Sequence, residues 1–198
     1  MTDERFQLYD PQGRRKYLTA AERNAFLSAA EAAPREIRTF SAVLAYTGCR
    51  ISEALALTAD RVDLDSHTII FETLKKRRRG VYRAVPVPPA LIDALNLAHA
   101  IREAQNGKGG GRNQFLWPFS RTTAWRYVQE VLNRAGLQGP QATPKGFRHG
   151  FGVQAVAAGI PLNLVQKWLG HAQLSTTAIY ADAVGAEEHQ IMEKMWAS

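Results

Sequence analysis

Residues 143–182, TPKGFRHGFGVQAVAAGIPLNLVQKWLGHAQLSTTAIYAD, carry helix punctuation dense enough to leave this stretch few alternatives. Thr143 offers an N-cap hydroxyl, and Pro144 follows at the first helical position, where a missing N–H is no loss. Gly159 ends that helix, Pro161 opens the next and Gly170 stops it. Ser175 is placed to cap a third short helix that carries Tyr180. The frame sets Lys145, Arg148 and His149 at the start of the first helix, His171 just beyond the second and Tyr180 on the third. Cations at a helix N-terminus, a loop histidine and a tyrosine nine positions later read as an anion site with a nucleophile.

The remainder of the chain supplies a scaffold for that stretch. Thr19 and Glu22 form a capping box for a helix running to about Ala33, which Pro34 breaks. Residues 36–47, EIRTFSAVLAYT, are largely apolar and predict a buried helix ended by Gly48. Arg50 and Glu53 follow, three apart on one helical face, with Ile51 and Leu55 turned to the core. From Arg61 the texture changes to short β-branched or aromatic runs, VDL, TIIFE and VYRAVPV, separated by polar turns. These predict a small antiparallel sheet with a basic hairpin tip at residues 75–79. Pro88 and Pro89 start a helix through ALIDALNLAHAIREAQ, Ser120 caps another to about Ala135, and a last helix spans 184–196. The fold class expected is mainly α with a small antiparallel β-sheet. Residues 1–17 lack periodicity and read as a flexible or extended arm, leaving 18–198 as one domain.

Charge narrows the function. A formal balance of +7 points to a polyanionic partner, nucleic acid before anionic membrane. One cysteine, Cys49, permits no internal disulfide and fits a reducing compartment. The polar, acidic N-terminus is no secretory signal, and no apolar run approaches membrane-spanning length, so a soluble cytoplasmic protein is expected. The glycines at 107–111 follow a helix and lack a P-loop ending, so they read as a linker. The histidines show no metal spacing, and Cys49 ends an apolar helix as a buried structural residue would. Five consecutive cations at 75–79 repel one another without an acidic partner, an arrangement that phosphate would relieve. Taken singly, Arg50 and Arg148 could be mere partners for Glu53 or Asp182, and Tyr180 a core residue.

In chain order, Arg50 within TGCRISEAL, Lys75 in the hairpin, Arg148 within KGFRHGF, His171 within LGH and Tyr180 within TTAIYAD resemble the tyrosine recombinases, or phage integrases. The resemblance runs from about Tyr17 to Ala183 and follows the family order Arg–Lys–His/Lys–Arg–His/Trp–Tyr. It implies the integrase catalytic-domain fold and cleavage of one DNA strand by Tyr180 through a 3′-phosphotyrosine, with neither cofactor nor metal. Arg50, Arg148 and His171 would hold the phosphate, Lys75 would protonate the departing 5′-oxygen, and Glu53 would orient Arg50 or its neighbours. Lys76 competes with Lys75 for the acid role. Lys145 stands where most of the family has histidine; with a free pKa of about 10.4, lysine is mainly a donor unless desolvated. Lys76, Arg77, Arg78, Arg79 and Arg83 are the expected DNA contacts.

The resemblance also carries expectations about organisation and partners. Only 49 residues precede Arg50, which implies a catalytic domain without a separate N-terminal core-binding domain, and an accessory protein in place of that missing clamp. The DNA partner is double-stranded, and the chain is expected to be a monomer when free and a tetramer on DNA, exchanging its C-terminal helix at 184–198. A nucleoid-associated protein of bacterial, plasmid or phage origin fits. The rival readings are a DNA-binding protein that keeps the fold without recombination, and a topoisomerase-like enzyme that relaxes DNA.

Overall fold

The computed structural model describes residues 7–73, 80–107 and 110–182, together with 192, 193, 195 and 196. Helix α1 (Ala20–Ala30) begins at the expected capping box. Thr19 Oγ1 accepts from the Glu22 N–H at 3.2 Å, and Glu22 Oε2 accepts from the Thr19 N–H at 2.8 Å. Helix α2 (Arg35–Thr47) runs through the core with Phe40, Val43 and Leu44 fully buried. Gly48 caps it at φ +59°, a left-handed turn that redirects the chain into Arg50 and helix α3 (Ile51–Leu55).

Strands β1 (Val62–Asp63), β2 (Thr68–Glu72) and β3 (Tyr82–Pro86) form the expected antiparallel sheet in the order β1-β2-β3. Phe71 lies opposite Arg83, and Ile69 opposite Val85. Strand alternation sends Ile69, Phe71, Arg83 and Val85 to the buried face. Helices α4 (Pro89–His99) and α5 (Ile101–Asn106) follow, then α6 (Arg121–Arg134), whose N-cap Ser120 accepts from the Thr123 N–H at 3.0 Å. Helix α7 (Pro144–Ala157) packs on α1 and α2; α8 (Leu162–Leu169), α9 (Ser175–Ala178) and a 3₁₀ turn (Ile179–Asp182) close against it. The main core lies among α1 to α7 and the sheet. A second cluster joins Leu8, Tyr17, Val153, Val165, Leu169 and Tyr180.

Three local expectations are corrected. The helix read through ALIDALNLAHAIREAQ is two helices, because Ala100 adopts φ +49°. Its N–H donates to Asn96 O, and Asn96 Oδ1 accepts from the Arg102 N–H at 2.9 Å. That break turns Ile101 fully into the core. Ser175 is the first residue of α9 rather than its cap, and the backbone tightens so that Tyr180 lies in the 3₁₀ turn. Residues 7–17 fold back as a bridged turn, Tyr9 opposite Arg15, with Leu8 and Tyr17 buried and Arg15 paired to Glu22. Burial of two large apolar side chains accounts for that docking. The hairpin residues Lys75, Lys76, Arg77, Arg78 and Arg79, and most of the 184–198 helix, lie outside the described residues.

The turn at Ala100 is testable. A left-handed residue with a Cβ costs roughly 1–2 kcal/mol, against roughly 0.4–1 kcal/mol of extra unfolded-state entropy for glycine. Ala100→Gly should therefore raise the unfolding free energy by up to about 1 kcal/mol, read from the urea midpoint at constant slope. A lowered midpoint would show that Asn96 alone holds the break.

Candidate active site

Each functional side chain is set by a helix end. Arg148 lies on the first turns of α7, which begins as expected: Thr143 Oγ1 accepts from the Gly146 N–H at 3.0 Å and Pro144 stands at the first position. Its guanidinium reaches two other helix C-termini, donating from Nη1 to Gly48 O at 3.1 Å and from Nη2 to Leu169 O at 2.5 Å. Last-turn carbonyls carry partial negative charge and lack helical partners, so a cation there is favoured. Burial lowers the Arg148 pKa to about 10, and Arg50 adds to the shift, while Tyr180 and Glu53 oppose it. It stays charged at neutral pH.

Glu53 lies at the centre of the cation group. Only 1% exposed, it takes the Arg50 backbone N–H on Oε2 at 2.9 Å and Arg50 Nη1 on Oε1 at 2.7 Å. Arg83 Nη2 donates to Oε2 at 2.6 Å from the other side. Burial pushes the Glu53 pKa upward, but the charge and hydrogen bonds of Arg83, then Arg50, outweigh it and hold the group below the ordinary carboxylate range. The Arg50 side chain remains 36% exposed. Arg83, expected among the exposed DNA contacts, differs in its placement. It is buried, with Nε donating to Trp168 O at 2.7 Å and Nη1 near Thr73 Oγ1 at 3.4 Å, so its guanidinium is committed to the protein interior.

Tyr180 is 2% exposed, its ring between two imidazoles. His171 stacks on it at a centroid distance of 6.1 Å, and His149 meets it edge-on at 5.8 Å. His171 Nδ1 shares a 2.9 Å hydrogen bond with Thr177 Oγ1, which fixes the ring plane. Gly152 makes the approach possible: a Cβ there would lie 2.4 Å from the Tyr180 ring. Burial raises the phenol pKa to about 12 although Arg148 and Arg50 pull it down, so the resting tyrosine is protonated. Cys49 is likewise buried, its thiol pushed up to about 12 chiefly by desolvation, and is no nucleophile at neutral pH.

The structure thus brings together Arg50, Glu53, Arg148, His171 and Tyr180 as the spacing suggested; Lys75 lies outside the described residues. Lys145 is exposed on the first turn of α7. It helps line a groove of about 560 Å³ with Ile51, Arg121, Thr122 and Trp125. His149, which the sequence sets beside Arg148 at the start of α7, receives no role from the motif spacing, and Trp125 escaped the sequence reading altogether. Trp125, half-exposed on α6, carries no local signal that separates it from a core aromatic.

Among the described residues His149 has no hydrogen-bond partner on either ring nitrogen, and it is 3% exposed. Burial, then the charges of Lys145, Arg148 and Lys16, lower its pKa to about 3. A depressed basic group contributes stability that is present above pH 6.5 and is lost as pH falls toward 3, on the order of 5 kcal/mol at full burial. His149→Gln should therefore flatten the fall in urea midpoint between pH 6.5 and 3. Parallel curves for the two proteins would show that the imidazole is solvated.

The fold and the site have relatives. The family model of the phage integrase family matches residues 16–186. The tyrosine recombinase XerD of Mycobacterium tuberculosis (strain H37Rv) is 33% identical over 147 residues, covering 68% of this chain and 43% of that protein. The tyrosine recombinase XerA of Thermococcus kodakarensis is 28% identical over 93% of this chain and 64% of its own length. The chain spans roughly half to two thirds of the relatives it matches. The crystal structure of XerA recombinase superposes with a TM-score of 0.74 at 25% identity, over 90% of this chain and 64% of that one. XerH site-specific recombinase bound to its difH substrate, in a pre-cleavage complex, superposes at 0.71 with 22% identity, over 95% and 59%. Among the described residues no helix is long and apolar enough to cross a membrane.

Proposed function

This chain belongs to the phage integrase, or tyrosine recombinase, family and has the fold of its catalytic domain, and from that premise we propose that it cuts and rejoins DNA at specific sites through a tyrosyl phosphodiester. The observation that carries the reading is the charge balance around Glu53. Three guanidiniums, Arg50, Arg83 and Arg148, stand against one carboxylate, which leaves two positive charges in excess beside Tyr180. A phosphodiester carries one negative charge, and its pentacoordinate transition state carries two. A site preorganised for the second charge favours the transition state over the bound ground state.

The reaction follows from these atoms. Tyr180 Oη gives its proton to solvent water and bonds to phosphorus while the bond from phosphorus to the 5′-oxygen breaks. That oxygen takes a proton from Lys75, leaving a 5′-hydroxyl and a 3′-phosphotyrosine. Attack by the 5′-hydroxyl of a second strand reverses the step, and the ester bond energy is retained throughout. Arg50, with its exposed edge, and Arg148 bind the nonbridging oxygens; His171 donates a third bond. Exposed Lys145 serves as a phosphate donor in this reading. Tyr180 is buried at rest and must leave its slot to meet DNA, so strand cleavage follows a conformational step.

Double-stranded DNA is the partner this reading requires, and the DNA-bound XerH complex is a relative with that partner. We place Arg121, Trp125 and Lys145 on the DNA-facing side, with Lys76, Arg77, Arg78 and Arg79 as further phosphate contacts. The apolar stripe of Val184, Ile191, Met192, Met195 and Trp196 suits docking on a neighbouring copy, as a monomer assembles into a tetramer on paired sites. Met192, Met195 and Trp196 are exposed in the single chain. An accessory protein that closes the clamp, and a bacterial plasmid or phage origin, belong to the same proposal.

Tyr180→Phe removes only the phenol oxygen. On a pool of nicked duplexes of randomised sequence, the unaltered chain should form a denaturant-resistant DNA adduct and the Phe variant none, with DNA affinity within about threefold. An adduct from the Phe variant would remove Tyr180 as nucleophile; no adduct from either would favour a DNA-binding protein without recombination.

Lys75→Ala should slow cleavage, and a bridging 5′-phosphorothiolate should restore the rate because sulfur leaves without a proton. Lys76→Ala should not behave this way. Rescue that follows Lys76 would move the acid by one residue.

A further inference from the structure

Arg83 lies on strand β3 and is absent from the phosphate-binding set, yet it makes more interior contacts than any cation in that set. Its Nη2 and Nη1 donate to Glu53 Oε2 and Oε1 at 2.6 and 3.3 Å, a two-pronged grip on the carboxylate that also holds Arg50. Its Nε donates to Trp168 O at 2.7 Å, at the C-terminal end of α8. The next carbonyl, Leu169 O, takes Arg148 Nη2. Two residues beyond Leu169 is His171. The guanidinium carbon lies 5.1 Å from the Phe71 ring centroid, and the Arg83 side chain passes so close to Gly170 that a Cβ there would approach it to 3.2 Å.

We propose that Arg83 is a positioning residue for strand cleavage: it clamps Glu53 so that Arg50 keeps its outer donors for phosphate, and it ties the strand leading from the basic hairpin to the turn that carries His171. The proposal rests on the recombinase reading above. Geometry supports it in two ways. Glu53 has two oxygens, and Arg83 occupies part of both, which limits Arg50 to one side-chain contact at 2.7 Å. Without Arg83, the carboxylate is free to rotate onto Arg50 and take a second donor from it. Strand pairing of Arg83 with Phe71, and the Thr73 N–H to Val81 O bond at 2.8 Å, then make β3 a rigid lever rather than a loose edge. The same side chain therefore reports to Arg50, to α8 and to both strands flanking the hairpin.

A DNA contact and a positioning residue lose different quantities. On the nicked-duplex pool, single-turnover adduct formation at saturating DNA should fall at least tenfold in Arg83→Gln, with the dissociation constant for DNA within about threefold. Arg83→Lys should recover part of the rate, because one ammonium can reach Glu53 or Trp168 O but not both. Should Arg83→Gln fail to fold because Glu53 keeps only Arg50 as a charged partner, the neutral pair Glu53→Gln with Arg83→Gln removes that charge; it should fold, bind DNA and still cleave at least tenfold more slowly than the unaltered chain. Unchanged cleavage in Arg83→Gln or in the folded double variant would overturn the proposal. So would a loss of DNA affinity as large as the loss of rate, which would return Arg83 to the DNA surface. Absence of any adduct from the unaltered chain would instead overturn the recombinase reading, and this inference with it.

Discussion

A carboxylate buried in an apolar core is tolerable only when its charge is met on the spot, and the site depends on how Glu53 meets that condition. It accepts a backbone N–H from Arg50 and side-chain donors from Arg50 and Arg83. Removing one partner of such a pair costs about 3–5 kcal/mol, because the survivor stays buried and uncompensated. The pair therefore fixes more than itself. Glu53 sits on α3, Arg83 on β3, and Arg83 extends to the last turn of α8. Arg148 performs a matching task from α7, using carbonyls at the ends of α2 and α8. Elements far apart in the chain are thus held by cations placed on helix C-termini, and the cations remain near enough together to act on one anion.

Tyr180, the proposed nucleophile, is held by opposing effects. Contact with Val153, Val165 and Leu169 stabilises the docked ring of Tyr180, while the same burial makes the phenol harder to ionise. Arg148 and Arg50 oppose that shift without cancelling it. A chain at rest therefore keeps its tyrosine protonated and covered, and in the proposed reaction a movement would have to expose the oxygen to phosphate. His149 belongs to the same balance. Lys145 and Arg148 disfavour its charge, so the wall beside Tyr180 is neutral while the cations lie around it. An arriving phosphate would offset part of that repulsion and bring the imidazole closer to accepting a proton.

Much of the scaffold was legible because its signals are local. Thr19 with Glu22, Ser120 with Thr123, Thr143 with Pro144, and Gly48 and Gly170 at helix ends all act within a turn of where they stand. Arg50, Arg148, His171 and Tyr180 were legible through motif spacing. The burial of Arg83 was not read from the sequence, although its phase with Val85 in the alternating strand placed it on the buried face. The reason for its burial, Glu53, is thirty positions away and has no local signature. Ala100 was missed because alanine favours helix; a side-chain bond from Asn96 and the burial of Ile101 outweigh that preference. The docking of residues 7–17 rests on Arg15 reaching Glu22 and on Tyr17 meeting the Tyr180 cluster, both tertiary events.

Where a cation sits decides which step it can influence. Arg121, Arg126 and Lys145 are exposed, so counterions screen them within about 10 Å at 0.1 M salt. In the proposed reaction such exposed cations would contribute to encounter and affinity, where salt competes directly. Arg83 and Arg148 are buried, beyond the reach of that competition, and their field acts in a medium less polarisable than water. In the proposed reaction their contribution would belong to the moment when phosphorus gains a second negative charge. A net charge of +7 therefore describes two populations with different work. In the proposed reaction the outer one would gather DNA, and the inner one, balanced against Glu53, would be tuned to a charge that exists only while a strand is being cut.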